Sequence, residues 1–121
     1  MEVNTVLQNG YRIAVVQSDE LLITDTQSTL DFMSTIQYKT ETKRIAVNKE
    51  AIVEDFFVLN TCIAGEILQK FVNYNVKLAI IGDFSGYTSE SLKDFIYESN
   101  HGSHIFFVAG IDEAIKKLTC A

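Results

Sequence analysis

The feature that most limits the fold is a nearly continuous apolar run, residues 76–81, that directly follows the pattern of an amphipathic helix. A strand exposed on one face alternates apolar and polar residues, whereas a strand covered on both faces is apolar throughout. Before this run, Ile63, Ile67 and Phe71 recur at helical spacing and form one apolar stripe. We therefore predict a central helix, followed by a strand that is buried inside a parallel sheet.

The rest of the chain repeats this alternation of strand and helix. The Asn9-Gly10 pair between two apolar runs predicts an N-terminal β-hairpin, because both residues tolerate the positive φ of a tight turn. The predicted order is β-β-α-β-α-β-α-β-α. Right-handed crossovers between the later strands then give an α/β fold, with a mostly parallel five-stranded sheet, an N-terminal hairpin and about four helices. We expect residues 1–121 to form a single domain.

Polar residues mark the expected helix starts. Asn60 and Thr61 precede the central helix, and their side chains are good acceptors for the free amides of a first turn. Thr24 or Asp25 is expected to cap the first helix in the same way. The run Glu54–Phe57 is expected to form a helical turn before the central helix.

Composition and charge exclude several classes of function. The chain has 121 residues, and its net charge of −6 offers no basic stripe for phosphates, so we expect no nucleic-acid binding. No apolar run approaches the roughly 20 residues of a membrane span. The N-terminus has neither the basic region nor the apolar core of a secretory signal. Cys62 and Cys120 are too few and too far apart for a disulfide framework or a zinc site, so a cytoplasmic location is expected.

The candidate site lies at the carboxyl edge of the predicted sheet, where ligands bind in open parallel sheets. Polar or small residues follow three strands there, and the start of the central helix lies nearby. A helix start is a ready anion site, but each of these residues taken singly is better explained by capping or by ordering its own loop. The residues predicted to bind a partner or ligand are Asn48, Asn60, Thr61, Cys62, Asp83, Phe84, Ser85 and Tyr87, with Lys49 and Gly110 on the same edge.

No set of residues predicts catalysis, a metal or a cofactor. Cys62 stands in a first helical turn, where the helix dipole lowers a thiol pKa, yet no base is near it in sequence. At such a position, a small, half-buried cysteine is more common than a reactive nucleophile. His101 and His104 have no cysteine or third histidine nearby to complete a set of metal ligands.

The order of elements resembles the STAS fold of anti-sigma-factor antagonists. Asn60-Thr61-Cys62-Ile63 corresponds to the D-S-S-G turn of that family, and the apolar positions Ile67 and Leu68 follow without a gap. The phosphorylatable serine of the family falls on Cys62 here, and its glycine falls on Ile63. The resemblance therefore implies a regulatory, protein-binding role without carrying phosphorylation over, and Thr61 is the substitute hydroxyl at this turn.

The second half of the chain is also similar to an uncharacterised bacterial family, the domain of unknown function numbered 4180. That family has a glycine where this chain has Cys62, and the resemblance supplies no function. The runs that carry it are EDFF at 54–57, AGEILQKF at 64–71, VKLAI at 76–80 and DFIYESN at 94–100.

These observations leave three functions open. The first is a cytoplasmic regulatory module that meets a protein partner through residues 60–62 and the loop 83–87. The second is a binder of a small anionic ligand, or an enzyme, that uses the same edge. The third is an accessory domain whose function is an oligomer interface. The absence of a convincing acid, base and nucleophile set favours the first.

Overall fold

The computed structural model describes residues 1–120 and contains one five-stranded sheet with four α-helices. Three short 3₁₀ turns, Lys49–Ala51, Glu54–Phe57 and Leu59–Thr61, connect the third strand to the second helix. In chain order the elements are β1 (Glu2–Gln8), β2 (Tyr11–Gln17), α1 (Thr26–Thr40), β3 (Arg44–Asn48), α2 (Ile63–Asn73), β4 (Lys77–Ile81), α3 (Glu90–Asn100), β5 (Ile105–Val108) and α4 (Ile111–Cys120).

The strands lie in the sheet in the order in which they occur in the chain, β1-β2-β3-β4-β5. β1 and β2 are antiparallel, and the remaining neighbours are parallel. Asn9 and Gly10 join the hairpin with φ values of 52° and 81°, the positive angles that a two-residue primed turn requires. The predicted order of elements and the mostly parallel sheet are confirmed. The carboxyl ends of β2 to β5 all meet at one edge.

The two faces of the sheet are covered unequally. Because each parallel strand is added on the same side of the previous one, right-handed crossovers place α1, α2 and α3 together on one face. The larger core lies there and includes Ile45, Leu78 and Ile80. On the other face α4 covers a smaller core, in which Ala79 packs with Leu118. Leu78, Ala79 and Ile80 are fully buried, as the continuous apolar run predicted for a strand covered on both faces.

The first helix is capped by one of the two residues predicted for that role. Asp25 is the N-cap of α1, and its carboxylate accepts from the Ser28 amide at 2.8 Å. The Ser28 hydroxyl in turn accepts from the Asp25 amide at 3.0 Å, which completes a capping box. These bonds lower the pKa of the Asp25 carboxyl from its ordinary value.

The start of the second helix differs from the prediction. α2 begins at Ile63, and its N-cap is Cys62, whose backbone is left-handed with φ 65° and whose side chain makes no capping bond. Neither Asn60 nor Thr61 is therefore the N-cap, although the Thr61 hydroxyl accepts a long bond from the first-turn amide of Ile63 at 3.4 Å. The reason is that the preceding chain forms the 3₁₀ turn Leu59–Thr61, which places both residues before the cap position.

Candidate functional site

At the carboxyl edge, Asn48 ties the ends of β2 and β3 together. Its side chain is buried, donating to the Ser18 carbonyl at 2.7 Å and accepting from the Ser18 amide at 2.9 Å. A second amide proton reaches the Glu50 carboxylate at 3.1 Å. The polar groups of Asn48 are thus engaged within the protein, where they hold the edge in shape.

Lys49, the next residue, lies at the centre of a polar and aromatic cluster. Its ammonium is 3.8 Å from a Glu54 carboxylate oxygen. It also lies 5.0 Å from the ring centre of Tyr87 and 5.3 Å from that of Phe57, within cation–π range. The Tyr87 hydroxyl donates to the other Glu54 oxygen at 2.7 Å. These contacts join the loop after β4 to the 3₁₀ turn Glu54–Phe57.

Aromatic packing also anchors the loop 83–87 to the protein core. The Tyr87 ring stacks on Phe57 with centroids 5.2 Å apart, and Phe84 lies 5.9 Å from Phe57. Phe84 also meets Phe107 of β5 edge-to-face at 5.3 Å. Phe57 and Phe107 are buried, while Phe84 and Tyr87 are half-buried. The loop 83–87 is therefore anchored to the core by two aromatic side chains.

On either side of Phe84 in the chain, Asp83 and Ser85 are exposed and bond to each other. The Asp83 carboxylate accepts from the Ser85 hydroxyl at 2.6 Å and from the Ser85 amide at 2.9 Å. The Ser85 bonds lower the pKa of the Asp83 carboxyl from its ordinary value. Both residues thus order the loop while remaining accessible to solvent.

Three exposed residues lie close to the turn Glu54–Phe57 that contacts the loop 83–87. They are Asn60, Thr61 and Cys62. The Thr61 hydroxyl shares its proton between the Asp55 carbonyl, at 2.9 Å, and the Val58 carbonyl, at 2.8 Å. This bond links the start of α2 to the turn Glu54–Phe57, and that turn is bound to Tyr87. We call the resulting continuous region, residues 54–62 and 83–87, the edge surface.

Lys49 and Asp83 are held in their ionised forms near neutral pH. The Tyr87 hydroxyl, as the largest influence, raises the pKa of Lys49, and burial is the main cause that raises the pKa of Tyr87. With the lowered pKa of Asp83, the edge has a fixed ammonium, a fixed carboxylate and a neutral phenol. Proton transfer needs groups whose pKa lies near the working pH, and the pKa values of these three groups are shifted away from neutrality.

Beside the edge surface lies a cleft of about 380 Å³ between the ends of β4 and β5. Two carboxylates, Asp83 and Glu113, stand at its lining, and Phe84 and Phe107 supply apolar walls. The Glu113 carboxylate accepts from the Ala109 amide at 3.3 Å.

Sequence reasoning missed the part that Glu54 and Phe57 play in this site. The two residues were predicted only as part of a helical turn, although they bind Tyr87 through the hydroxyl and the ring respectively. The adjacent phenylalanines at 56 and 57 were the available signal, because two large aromatics in a short connection need a core to bury them. Their partner lies 30 residues further along the chain, and only the fold brings it near.

Residues 1–120 contain neither a metal-ligand cluster nor a membrane-spanning helix. No three side chains of the metal-ligating types come close enough together there to hold a metal ion. None of the helices in that part of the chain has the length and apolarity needed to cross a bilayer.

Comparison with known sequences adds the family. A sequence model described as Domain of unknown function (DUF4180) matches residues 8–118, nearly the whole chain. The chain belongs to this family. The match spans β2 to α4, so both the 3₁₀ turn Glu54–Phe57 and the loop 83–87 of this DUF4180 domain lie within the family region. No curated protein and no solved structure matches it.

Proposed function

We propose that this DUF4180 domain is a regulatory protein-binding module that uses the edge surface to contact a protein partner. The proposal includes a STAS-like relationship and a bacterial origin, as the sequence resemblances imply, and a cytoplasmic location, as the cysteine content indicates. Within it, Asn60, Thr61 and Cys62 contact the partner directly, together with Ser85 and the exposed part of Tyr87.

The observation that carries the proposal is the bracing of the edge surface. Two segments separated by 20 residues are joined through the turn Glu54–Phe57, by the Tyr87–Glu54 bond at one end and the Thr61–Asp55 bond at the other. The exposed residues between these bonds are held by a buried aromatic cluster. A surface that is already ordered loses less conformational freedom when a partner binds, which favours affinity.

The charge of the edge surface indicates the chemistry of the partner. Glu54, Asp55 and Asp83 are exposed acids, and the Lys49 ammonium is already occupied by Glu54 and two aromatic rings. Together with the net charge of −6, this favours a partner with a basic patch. Association should then slow as salt is added, because exposed charges are screened beyond about 8 Å at physiological ionic strength.

Site-specific photo-crosslinking in living cells tests this proposal. A photoreactive amino acid is introduced in place of Asn60, which is exposed on the edge surface, and in place of Tyr38, which is 89% exposed on α1. We expect one discrete light-dependent adduct from position 60 and none from position 38. Mass spectrometry of the adduct then identifies the partner.

A charge variant provides the matched control. Asn60→Arg places a positive charge on the acidic edge surface and should abolish a second crosslink placed at Ser85. Thr35→Arg adds the same charge on the exposed side of α1 and should leave that crosslink unchanged. Equal adducts from positions 60 and 38, or no adduct from either, would refute binding at the edge surface.

The cleft favours a second candidate function, the binding of a small ligand. Its volume of about 380 Å³ lies within the usual range of ligand pockets. The sequence predicted an anionic ligand at this edge, whereas the Asp83 and Glu113 carboxylates suit a ligand that carries a positive group. Thermal melting with spermidine and with ATP separates these cases. A melting temperature raised by spermidine in the wild type, but not in Glu113→Gln, would support the cationic ligand.

A further inference from the structure

The two edges of the sheet are protected very differently. At one edge, the Asn100 side chain covers the middle of β5: its amide nitrogen donates to the Phe107 carbonyl at 3.2 Å, and its oxygen accepts from the Phe107 amide at 2.7 Å. Asn100 thus takes the place of a neighbouring strand. All four residues of β5 are buried as well. This edge is closed to further strand pairing.

The other edge, β1, has few of the features that usually prevent pairing, since its one charge is Glu2 at the end of the strand. It is seven residues long, its sequence EVNTVLQ contains no proline, lysine or arginine, and its register with β2 runs without a bulge from Glu2 to Gln8. Natural proteins usually interrupt or charge such an edge. Leu7 is 73% exposed on this edge.

The hairpin determines which backbone groups of β1 are free. Gln8 and Tyr11 close the two-residue turn, so they form a hydrogen-bonded pair. Pairs alternate along an antiparallel ladder, and the backbone groups of Leu7, Thr5 and Val3 therefore point away from β2. Three residues with outward N–H and C=O groups can form three more hydrogen-bonded pairs.

We propose that β1 pairs with β1 of a second copy of this chain, in antiparallel orientation, with the two-fold axis at Thr5. Thr5 then lies opposite Thr5 of the second copy, and Val3 lies opposite its Leu7. All three outward residues of each strand find a partner, and the exposed Leu7 is covered. The product is a continuous ten-stranded sheet. Because Asn100 closes the β5 edge, the assembly ends at a dimer.

Sequence symmetry around Thr5 favours β1 of a second copy over an unrelated strand as the partner of β1. The apolar residues Val3 and Leu7 are equidistant from the centre, so each meets an apolar residue across the axis. The one charge of the strand, Glu2, lies opposite Gln8 of the second copy. The two Glu2 side chains are separated by about 20 Å along the strands, at 3.4 Å per residue, so their repulsion is screened.

Sedimentation equilibrium from about 10 μM to 1 mM tests the dimer. A single pair of strands is a small interface, and a Kd in the micromolar to millimolar range is expected. The apparent mass should rise from 13.6 kDa towards twice that value. Thr5→Lys and Thr5→Glu each place like charges opposite each other on the axis, and each should weaken the dimer at least tenfold. An equimolar mixture of the two should restore it as a heterodimer.

The matched controls are Asn4→Lys and Asn4→Glu. They add the same charges one residue away, on a side chain that is also exposed and would lie opposite Val6 of the second copy, so the dimer should change less than threefold. A wild-type chain that stays monomeric to 1 mM would overturn the proposal. So would a dimer that Thr5→Lys leaves intact, or one that the mixture of Thr5 variants fails to restore.

Discussion

Replacing Gly82 by alanine should destabilise the protein through a single close contact at the carboxyl edge. Gly82 directly follows β4, and a Cβ built there would lie 2.7 Å from Cβ of Lys49 and 3.0 Å from its Cδ. Real Cβ atoms do not approach another carbon to 2.7 Å. The contact cannot be relieved by rotating the Lys49 side chain alone, because its Cβ is attached directly to the backbone. The backbone of β3 or of β4 must shift.

Two opposing effects set the magnitude. Overpacking in a well-packed site costs about 1–3 kcal/mol. Alanine also restricts the unfolded chain more than glycine does, which gains about 0.4–1 kcal/mol where the backbone angle suits it. The net loss of unfolding free energy for Gly82→Ala should therefore be about 0–2.6 kcal/mol, and the loss relative to a glycine-to-alanine change without a clash should be about 1–3 kcal/mol. The shift also displaces Lys49, whose ammonium contacts Glu54 and Tyr87.

Gly86→Ala is the matched control in the same loop. A Cβ at Gly86 meets nothing within 4 Å, and its φ is not in the left-handed region. This variant should be as stable as the wild type or slightly more stable. Urea denaturation of both variants, followed by circular dichroism, measures the difference. Equal unfolding free energies for Gly82→Ala and Gly86→Ala would refute the steric reasoning.

Three further predictions concern single side chains. Tyr87→Phe removes the hydroxyl bond to Glu54 and should cost about 0.5–1.5 kcal/mol in urea titrations. Glu54→Gln should cost less in the Tyr87→Phe background than in the wild type, because only the Glu54–Lys49 ion pair then remains to be lost. Cys62→Gly relieves a left-handed φ of 65° and should raise the unfolding free energy by up to about 1 kcal/mol; a decrease would contradict backbone strain there. Burial, and then the charge of Lys77, lower the pKa of His104 below 6.5. The unfolded chain therefore binds this proton more readily, and stability is lost as the pH falls through 6.5 towards the folded pKa. His104→Gln should flatten that dependence in melts taken across this range.

Local sequence patterns were sufficient for most of the fold. The primed turn at Asn9-Gly10, the capping by Asp25 and the buried strand β4 each depend on neighbouring residues or on a single period of hydrophobicity, and all three predictions agree with the structure. The start of α2 was not predictable in this way. Asn60 and Thr61 are good caps by type, yet the connection forms a 3₁₀ turn and leaves the cap to Cys62.

The candidate site shows the same division more sharply. The sequence placed Asp83, Phe84 and Tyr87 at the carboxyl edge, because parallel strands all end on the same side of a sheet. It did not indicate that Tyr87 bonds Glu54, which lies 33 residues earlier. It also did not indicate that the Asn48 side-chain amide forms two hydrogen bonds with the backbone of Ser18, 30 residues away.

The sequence by itself determined the order of elements, the hairpin and the edge at which the site lies, because these follow from local propensity and from the handedness of crossovers. The tertiary structure alone decided which side chains meet across the sheet. It joined the helix start to the loop 83–87 through Glu54–Phe57, and it closed the β5 edge with Asn100 while β1 stayed open. Such contacts depend on distances between segments far apart in the chain, which no local pattern encodes.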